Sequence, residues 1–287
     1  MEIGIGIPNT ILDVTGDTFT EWARRAEARG FSTLATIGRV VYPGYDELVA
    51  LTAAAAVTER IGLFTNILLA PAYDTAHLAK TTASVDKISG GRLTLGLAVG
   101  GRPDDFAVTG RDFHTRGKRF DAQLEALHDA WAGRPVPHGD QPVAPPAMNG
   151  RIPVLFGGSP RVAAPRAARW GGGYTIGGAP PEQAASMANE FRALHAEHGG
   201  GGEPRIVALN YFSLGDEHTE ESLHNLRSYY AWLADWTEGI AQGAARSGGD
   251  IRDRLNAFEE AGIDEIVWDP SVANVDQVDR LADIVFG

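Results

Sequence analysis

Hydrophobic residues along the chain fall into two alternating textures. Short runs, apolar at nearly every position, occur at residues 2–8, 31–37, 61–69, 93–99, 152–156, 173–176, 205–214 and 265–268. Between them lie longer segments whose apolar residues recur three and four apart, the period of a helix with one buried face. Phe19, Trp22, Ala23 and Ala26 mark one such face, and Phe120, Leu124, Leu127 and Trp131 mark another. The pattern predicts helices over 19–29, 46–60, 75–89, 116–131, 182–198, 250–261 and 275–286, with a further one from Ser159 to Trp170. Residues 217–242 read as largely helical, and glycines such as Gly30 and Gly262 follow predicted helix ends.

Strands apolar on both faces belong in a parallel sheet covered by helices. Eight strand–helix units in 287 residues predict a single (β/α)₈ barrel over 1–287. A doubly wound open sheet is the alternative. It calls for a glycine fingerprint after the first strand, whereas Gly4-Ile5-Gly6-Ile7-Pro8 keeps its glycines inside the strand. The Pro- and Gly-rich stretch 133–151 has no periodicity and is expected to be a surface loop and a candidate lid.

A barrel of this kind builds its site from the loops at the carboxyl ends of the strands. Those loops contain Asn9, Gly38-Arg39, Thr65-Asn66, Gly100-Gly101-Arg102, Gly157-Gly158-Ser159, Gly177-Gly178, Asn210-Tyr211 and Asp269. At Phe156-Gly157-Gly158-Ser159-Pro160-Arg161 a strand ends, two glycines expose backbone, and a helix begins at Ser159. Such a helix start binds phosphate through its free N–H groups. The competing reading makes Ser159 a simple helix cap with Pro160 in the first turn. Arg102 and Arg161 are candidate countercharges.

Composition narrows the chemistry. There is no cysteine, which excludes thiolate nucleophiles, disulfides and Cys-ligated metals. A net charge of −12 disfavours nucleic acid and anionic membranes as partners. The apolar runs are too short to span a bilayer, and Met1 leads directly into a strand without a leader-like segment. A cytoplasmic location is expected. No Gly-x-Ser-x-Gly element and no metal-ligand spacing is present. His195 and His198 are expected at the surface, and Asp104-Asp105, candidate general bases, are expected as loop residues or caps. Tyr42, Tyr45 and Phe113 are candidates for lining a pocket or anchoring loops. A site this poor in nucleophiles and bases points to a cofactor as carrier of the reaction.

Four stretches then carry a resemblance: 61–71 (IGLFTNILLAP), 78–101 (LAKTTASVDKISGGRLTLGLAVGG), 113–121 (FHTRGKRFD) and 154–178 (VLFGGSPRVAAPRAARWGGGYTIGG). In this order they resemble the bacterial luciferase-like family of oxidoreductases. The resemblance implies a (β/α)₈ barrel holding reduced FMN or the deazaflavin coenzyme F420 at the strands' carboxyl ends. It implies Gly158 and Ser159 at the cofactor phosphate, Arg102 beside it, and Thr65-Asn66 at a bulge with a non-prolyl cis peptide under the ring. Gly100, Gly157 and Gly177 complete the implied cofactor wall. Two positions depart from the family pattern. The second strand ends in Thr36-Ile37-Gly38-Arg39, without the familiar histidine, leaving Arg39 as the candidate catalytic group. Ala72-Tyr73-Asp74 stands where many members have Arg-His-Pro. The implied activity is FMN-dependent oxidation of a small organic substrate, with NAD(P)H or a separate flavin reductase as electron source. F420-dependent hydride transfer and a non-catalytic flavin binder are the alternatives. Pairing of two barrels into a homodimer is also an expectation.

Overall fold

The computed structural model describes residues 1–137 and 139–287. Its first half runs β1 (Glu2–Gly6), α1 (Gly16–Arg29), β2 (Thr33–Thr36), α2 (Glu47–Ala55), β3 (Gly62–Leu68), α3 (Thr75–Ile88), β4 (Leu93–Leu97), α4 (Pro103–Val108) and α5 (Arg116–Trp131). The second half runs β5 (Val154–Phe156), α6 (Pro160–Trp170), β6 (Gly173–Ile176), α7 (Pro181–Glu197), β7 (Ile206–Phe212), α8 (Thr219–Tyr230), α9 (Thr237–Gln242), α10 (Gly248–Glu260), β8 (Glu265–Pro270) and α11 (Asp276–Val285). The eight strands pair in chain order, all parallel, and β8 closes onto β1 through Ile3↔Ile266 and Ile5↔Trp268. The predicted barrel is the observed fold.

Alternation along each strand divides the core in two. Ala35, Phe64, Leu155, Val207 and Val267 fill the barrel interior. Their strand neighbours face outward into the larger layer under the helices, with Trp22, Trp131 and Trp268 fully buried there. Burying one such side chain contributes roughly 1.5–3 kcal/mol, so the outer layer carries most of the stabilisation. The inner layer is narrow, which is why glycine recurs in it. A Cβ at residue 6 would lie 2.1 Å from Asp269 Oδ1, and one at residue 157 would lie 2.1 Å from Ile67 Cδ1.

Several expectations are corrected. Asp104 and Asp105 lie in the first turn of α4, on the cap side of that expectation rather than in a loop. They suit that place because carboxylates favour the positive end of a helix. Segment 217–242 breaks into α8, a 3₁₀ stretch Ala231–Trp236 kinked at Ala234, and α9. His195 is buried, with its ring stacked on Phe191 and packed against Gly200; His198 is exposed.

Stretch 133–151, of which residue 138 lies outside the described residues, joins a helix end to a strand start, so its described residues lie at the amino-terminal face of the barrel. There the Met148 N–H donates to Asp86 at 2.7 Å and the Ala147 N–H to the Trp131 carbonyl at 2.9 Å. It cannot act as a lid over loops on the opposite face. Among the described residues no helix is long and apolar enough to cross a membrane.

Candidate functional site

The strand ends β3–β6 form one wall of the barrel mouth. The register between β3 and β4 shifts between Thr65 and Leu68, and the Asn66–Ile67 peptide bond is cis. The Thr65 hydroxyl donates to the Gly96 carbonyl at 3.1 Å and accepts from the Gly96 N–H at 3.0 Å. Thr65 is fully buried, so its side chain holds the bulge rather than presenting a group to the mouth. Asn66 does present one. Its Oδ1 accepts from Thr175 at 2.6 Å, while its buried Nδ2 donates to nothing.

Gly157, Gly158 and Ser159 connect β5 to α6. Gly158 sits at φ 99°, where a side chain is strained, and its carbonyl accepts from the Tyr174 hydroxyl at 2.7 Å. Ser159 occupies the N-cap position with extended φ and ψ, yet its hydroxyl makes no cap hydrogen bond and is exposed. An N-cap serine normally spends its oxygen on the N–H groups of the first turn. Here Pro160 has no N–H to offer and the Val162 N–H goes to the Ser159 carbonyl at 3.0 Å, so the hydroxyl is left for a ligand. Gly177 and Gly178 are exposed at the neighbouring end of β6. Arg161 does not join this group: it pairs with Glu190 at 3.1 Å and is 80% exposed.

Arg102 does. It begins α4, is buried, and lies 5.2 Å from the Trp232 ring. It pairs with Asp104, and its Nε stands 3.4 Å from Asp105 Oδ2. Its NH1 has no partner. Asp105 in turn accepts the Val41 N–H at 2.7 Å, tying α4 to the end of β2. Gly100, at φ 77°, gives its carbonyl to Arg116 Nε at 2.9 Å. Arg116 also donates to the Phe113 carbonyl and lies 3.8 Å above that ring. Its anchoring role went unread in the sequence, although stretch 113–121 contains it.

Arg39 is wedged between Tyr42 and Tyr229, 4.9 and 5.3 Å from their ring centres, and donates to the Tyr229 carbonyl. Burial and the nearby charge of Arg102 lower its pKa, and its Nε has no partner. It is therefore a positioned cation at the mouth, with its Nε left open.

Two buried acids stand out, of which Glu47 went unread in the sequence while Asp269 is read there as a strand-end loop residue without a role. Glu47 opens α2, packs against Gly38, and accepts from the Tyr73 hydroxyl at 3.0 Å. Burial, with the charge of Asp46, pushes its carboxyl up to about 7. Tyr73 is one of the departures from the family pattern, so the pairing explains that substitution locally. Asp269 lies on the inner face near the end of β8, over Gly6, and is 2% exposed with Oδ1 unpartnered. Burial alone holds its pKa well above the ordinary carboxylate value. Tyr211 and Tyr230, whose hydroxyls share a hydrogen bond, flank it with Tyr229. Burial raises all three tyrosines, Tyr230 to about 12. A sequence shows where a strand ends but not that no partner reaches the acid there.

The mouth is covered from the β7 side. Trp232 of the 3₁₀ stretch lies against Gly101 and Arg102. Beside it, at the ends of β6 and β7, opens a cavity of about 670 Å³ walled largely by apolar residues such as Met187, Leu233 and Ile240. The covering element is thus the insertion after β7, not stretch 133–151.

The sequence model of the luciferase-like monooxygenase family matches residues 1–281. An uncharacterised protein of Mycobacterium tuberculosis is 28% identical over 222 residues, which is 67% of this chain and 77% of its own length. The monooxygenase RslO1 from Streptomyces bottropensis superposes with a TM-score of 0.78 at 22% identity, covering 99% of this chain and 97% of that one. An F420-dependent secondary alcohol dehydrogenase, in complex with an F420–acetone adduct, gives 0.77 at 18% identity, covering 99% and 98%. The oxygenating constituent of 3,6-diketocamphane monooxygenase from Pseudomonas putida, in complex with FMN, gives 0.76 at 15% identity, covering 100% and 99%. At these identities the structural likeness speaks for the fold alone, while the sequence match over nearly the whole length speaks for the family. The chain belongs to the luciferase-like monooxygenase family.

Proposed function

We propose that the protein is an oxidoreductase that binds reduced FMN at the carboxyl end of the barrel and acts on a small organic molecule. The observation that carries this reading is Ser159: an N-cap whose exposed hydroxyl makes no cap hydrogen bond, at a helix start beside the exposed Gly158. The buried, unpartnered NH1 of Arg102 is the matching cation. When bound, the cofactor supplies the electrons of the reaction. The chain's own part is to bind, orient and exclude water. Ser159 and the start of α6 take the phosphate, and Asn66 Nδ2 is a free donor toward the ring. Trp232 and the insertion after β7 cover the mouth. Burial of Asp269 on the inner face disfavours its charged form.

F420 is the second reading, supported by F420-dependent neighbours of the same fold. Its longer anionic tail calls for more cations than Arg39 and Arg102, and no lysine lies in the strand-end loops, which favours FMN. Competitive titration of the pure protein with reduced FMN and with F420 decides between them. FMN in the micromolar range is the expected result, and F420 binding alone overturns it. If neither binds, the cofactor reading fails. Electrons are proposed to come from NAD(P)H directly or through a separate reductase, and turnover with either across a substrate panel separates an enzyme from a non-catalytic flavin binder. Sedimentation tests the proposed homodimer.

A further inference from the structure

The 670 Å³ cavity beside the mouth falls within the usual range of small-molecule pockets. Gly177, Gly178 and Tyr211 line it on the barrel side, and the insertion after β7 lines it with Leu233, Trp236 and Ile240. Trp236 is 73% exposed although it belongs to this wall. An indole left open to water beside a concave apolar surface is a feature of binding sites rather than of ordinary surface. Of the residues around the cavity only Arg254 is charged.

Arg254 lies in α10 and is half-buried. The buried Asn210 of β7 accepts a hydrogen bond from its NH1 and so fixes the guanidinium. Among the described residues it forms no ion pair. Asp250, one turn earlier, attracts it. That carboxylate is occupied as the reciprocal partner of the Ser247 capping box and also accepts the Arg246 N–H at 3.0 Å. A guanidinium drawn out of water, held by a neutral amide and left without a carboxylate in contact, is arranged to receive an anion from outside the chain.

We infer that this cavity binds an apolar molecule carrying one terminal carboxylate, with the carboxylate on Arg254 and the apolar body against Met187, Ile240 and Trp236. A single cation in an apolar chamber suits one anionic head and is a poor match for a polyanionic tail. As a statement about binding the inference stands apart from the cofactor; as a statement about substrate class it rests on the cofactor reading above.

Decanoate and decan-1-ol serve as probes, with Trp fluorescence and calorimetry as readouts, in protein free of flavin. Decanoate should bind saturably, at least about tenfold more tightly than the alcohol. Arg254→Met should reduce decanoate to the level of the alcohol. Gly239→Phe provides a second variant. Gly239 lines the cavity and a Cβ there meets nothing within 4 Å, so the backbone accepts a side chain, and a ring reaching into the cavity should weaken both probes. Reduced FMN should bind wild type and Arg254→Met with equal affinity. Equal binding of acid and alcohol overturns the inference, as does the absence of saturable binding. A loss of FMN affinity in Arg254→Met as large as in Ser159→Ala also overturns it, because the cavity would then serve the cofactor. Failure of wild type to bind FMN while decanoate binds would instead break the cofactor reading and leave the acid site standing.

Discussion

The two ends of the barrel treat charge in opposite ways. At the amino-terminal end a polar chamber of about 190 Å³ contains Glu2, Ser32, Arg205 and Glu265. Its charges answer one another. Arg205 contacts both Glu2 and Glu265 at 2.7 Å, and Ser32 donates to Glu265 at 2.6 Å. At the carboxyl-terminal end polar groups are buried yet left open: Arg39 Nε, Asn66 Nδ2, Arg102 NH1 and Asp269 Oδ1 lack partners. A buried polar group without a partner costs about 1–3 kcal/mol, so a fold tolerates a cluster of them only where something else is to be met. Both ends are concave and polar, and satisfaction of their polar groups separates the stabilising end from the binding end.

The sharpest way to break this contrast is at Arg205. Arg205→Met removes the cation facing Glu265, which is 2% exposed. It should destabilise the protein by about 3 kcal/mol, the low end for a broken buried pair because Arg205 itself is partly exposed. FMN affinity should not change. Urea unfolding alongside cofactor titration checks both halves, and a loss of affinity would show that the two ends are not separate.

Glu47 comes next. Its carboxyl titrates at about 7 in the fold and at about 4.3 in the unfolded chain. Between those values the unfolded state gives up the proton first, so the contribution of Glu47 is full below about pH 4.3 and is lost as pH rises toward 7. Stability should fall by about 2 kcal/mol between pH 5 and 7 from this group alone. Glu47→Gln keeps an acceptor for Tyr73 and should flatten that part of the profile. An unchanged slope in the variant would place the titration elsewhere.

Ser159→Ala should weaken FMN binding about tenfold, near 1.4 kcal/mol. It should leave unfolding within about 0.5 kcal/mol, well under the usual cost of a lost cap, since no cap bond exists to lose. A destabilised variant with unchanged affinity would make Ser159 a cap after all. The smallest effect is expected at Asp269 near pH 4. Asp269→Asn keeps the shape and removes the group that burial resists ionising. Stability should match wild type within about 1 kcal/mol at about pH 4 and exceed it increasingly as pH rises, because above about pH 3.9 the unfolded wild-type chain gives up this proton before the folded one does. A large loss at that pH would reveal a partner for the carboxyl.

Much of the barrel was legible because its cause is local. Hydrophobic period separates strand from helix, and eight such units close in only one common way. The glycine–serine loop after β5 was legible for the same reason, since a strand end, two glycines and an N-cap are consecutive in sequence. Boundaries shifted where local preference and packing disagreed. Segment 217–242 is rich in helix formers, yet it bends at Ala234 into the cover between α8 and α9.

What stayed hidden depends on distance. Nothing near Ser159 in sequence says that its hydroxyl is unspent. Asp269 and Gly6 are 263 positions apart in the chain but touch because β8 closes onto β1. Arg254 reaches its cavity only because α10 packs where β7 can offer Asn210. The sequence by itself determined the alternation of strands and helices, the glycine exits and the supply of cations and acids. Tertiary structure alone decided which of those charges found partners, because pairing and desolvation are set by neighbours that barrel closure brings together from far along the chain.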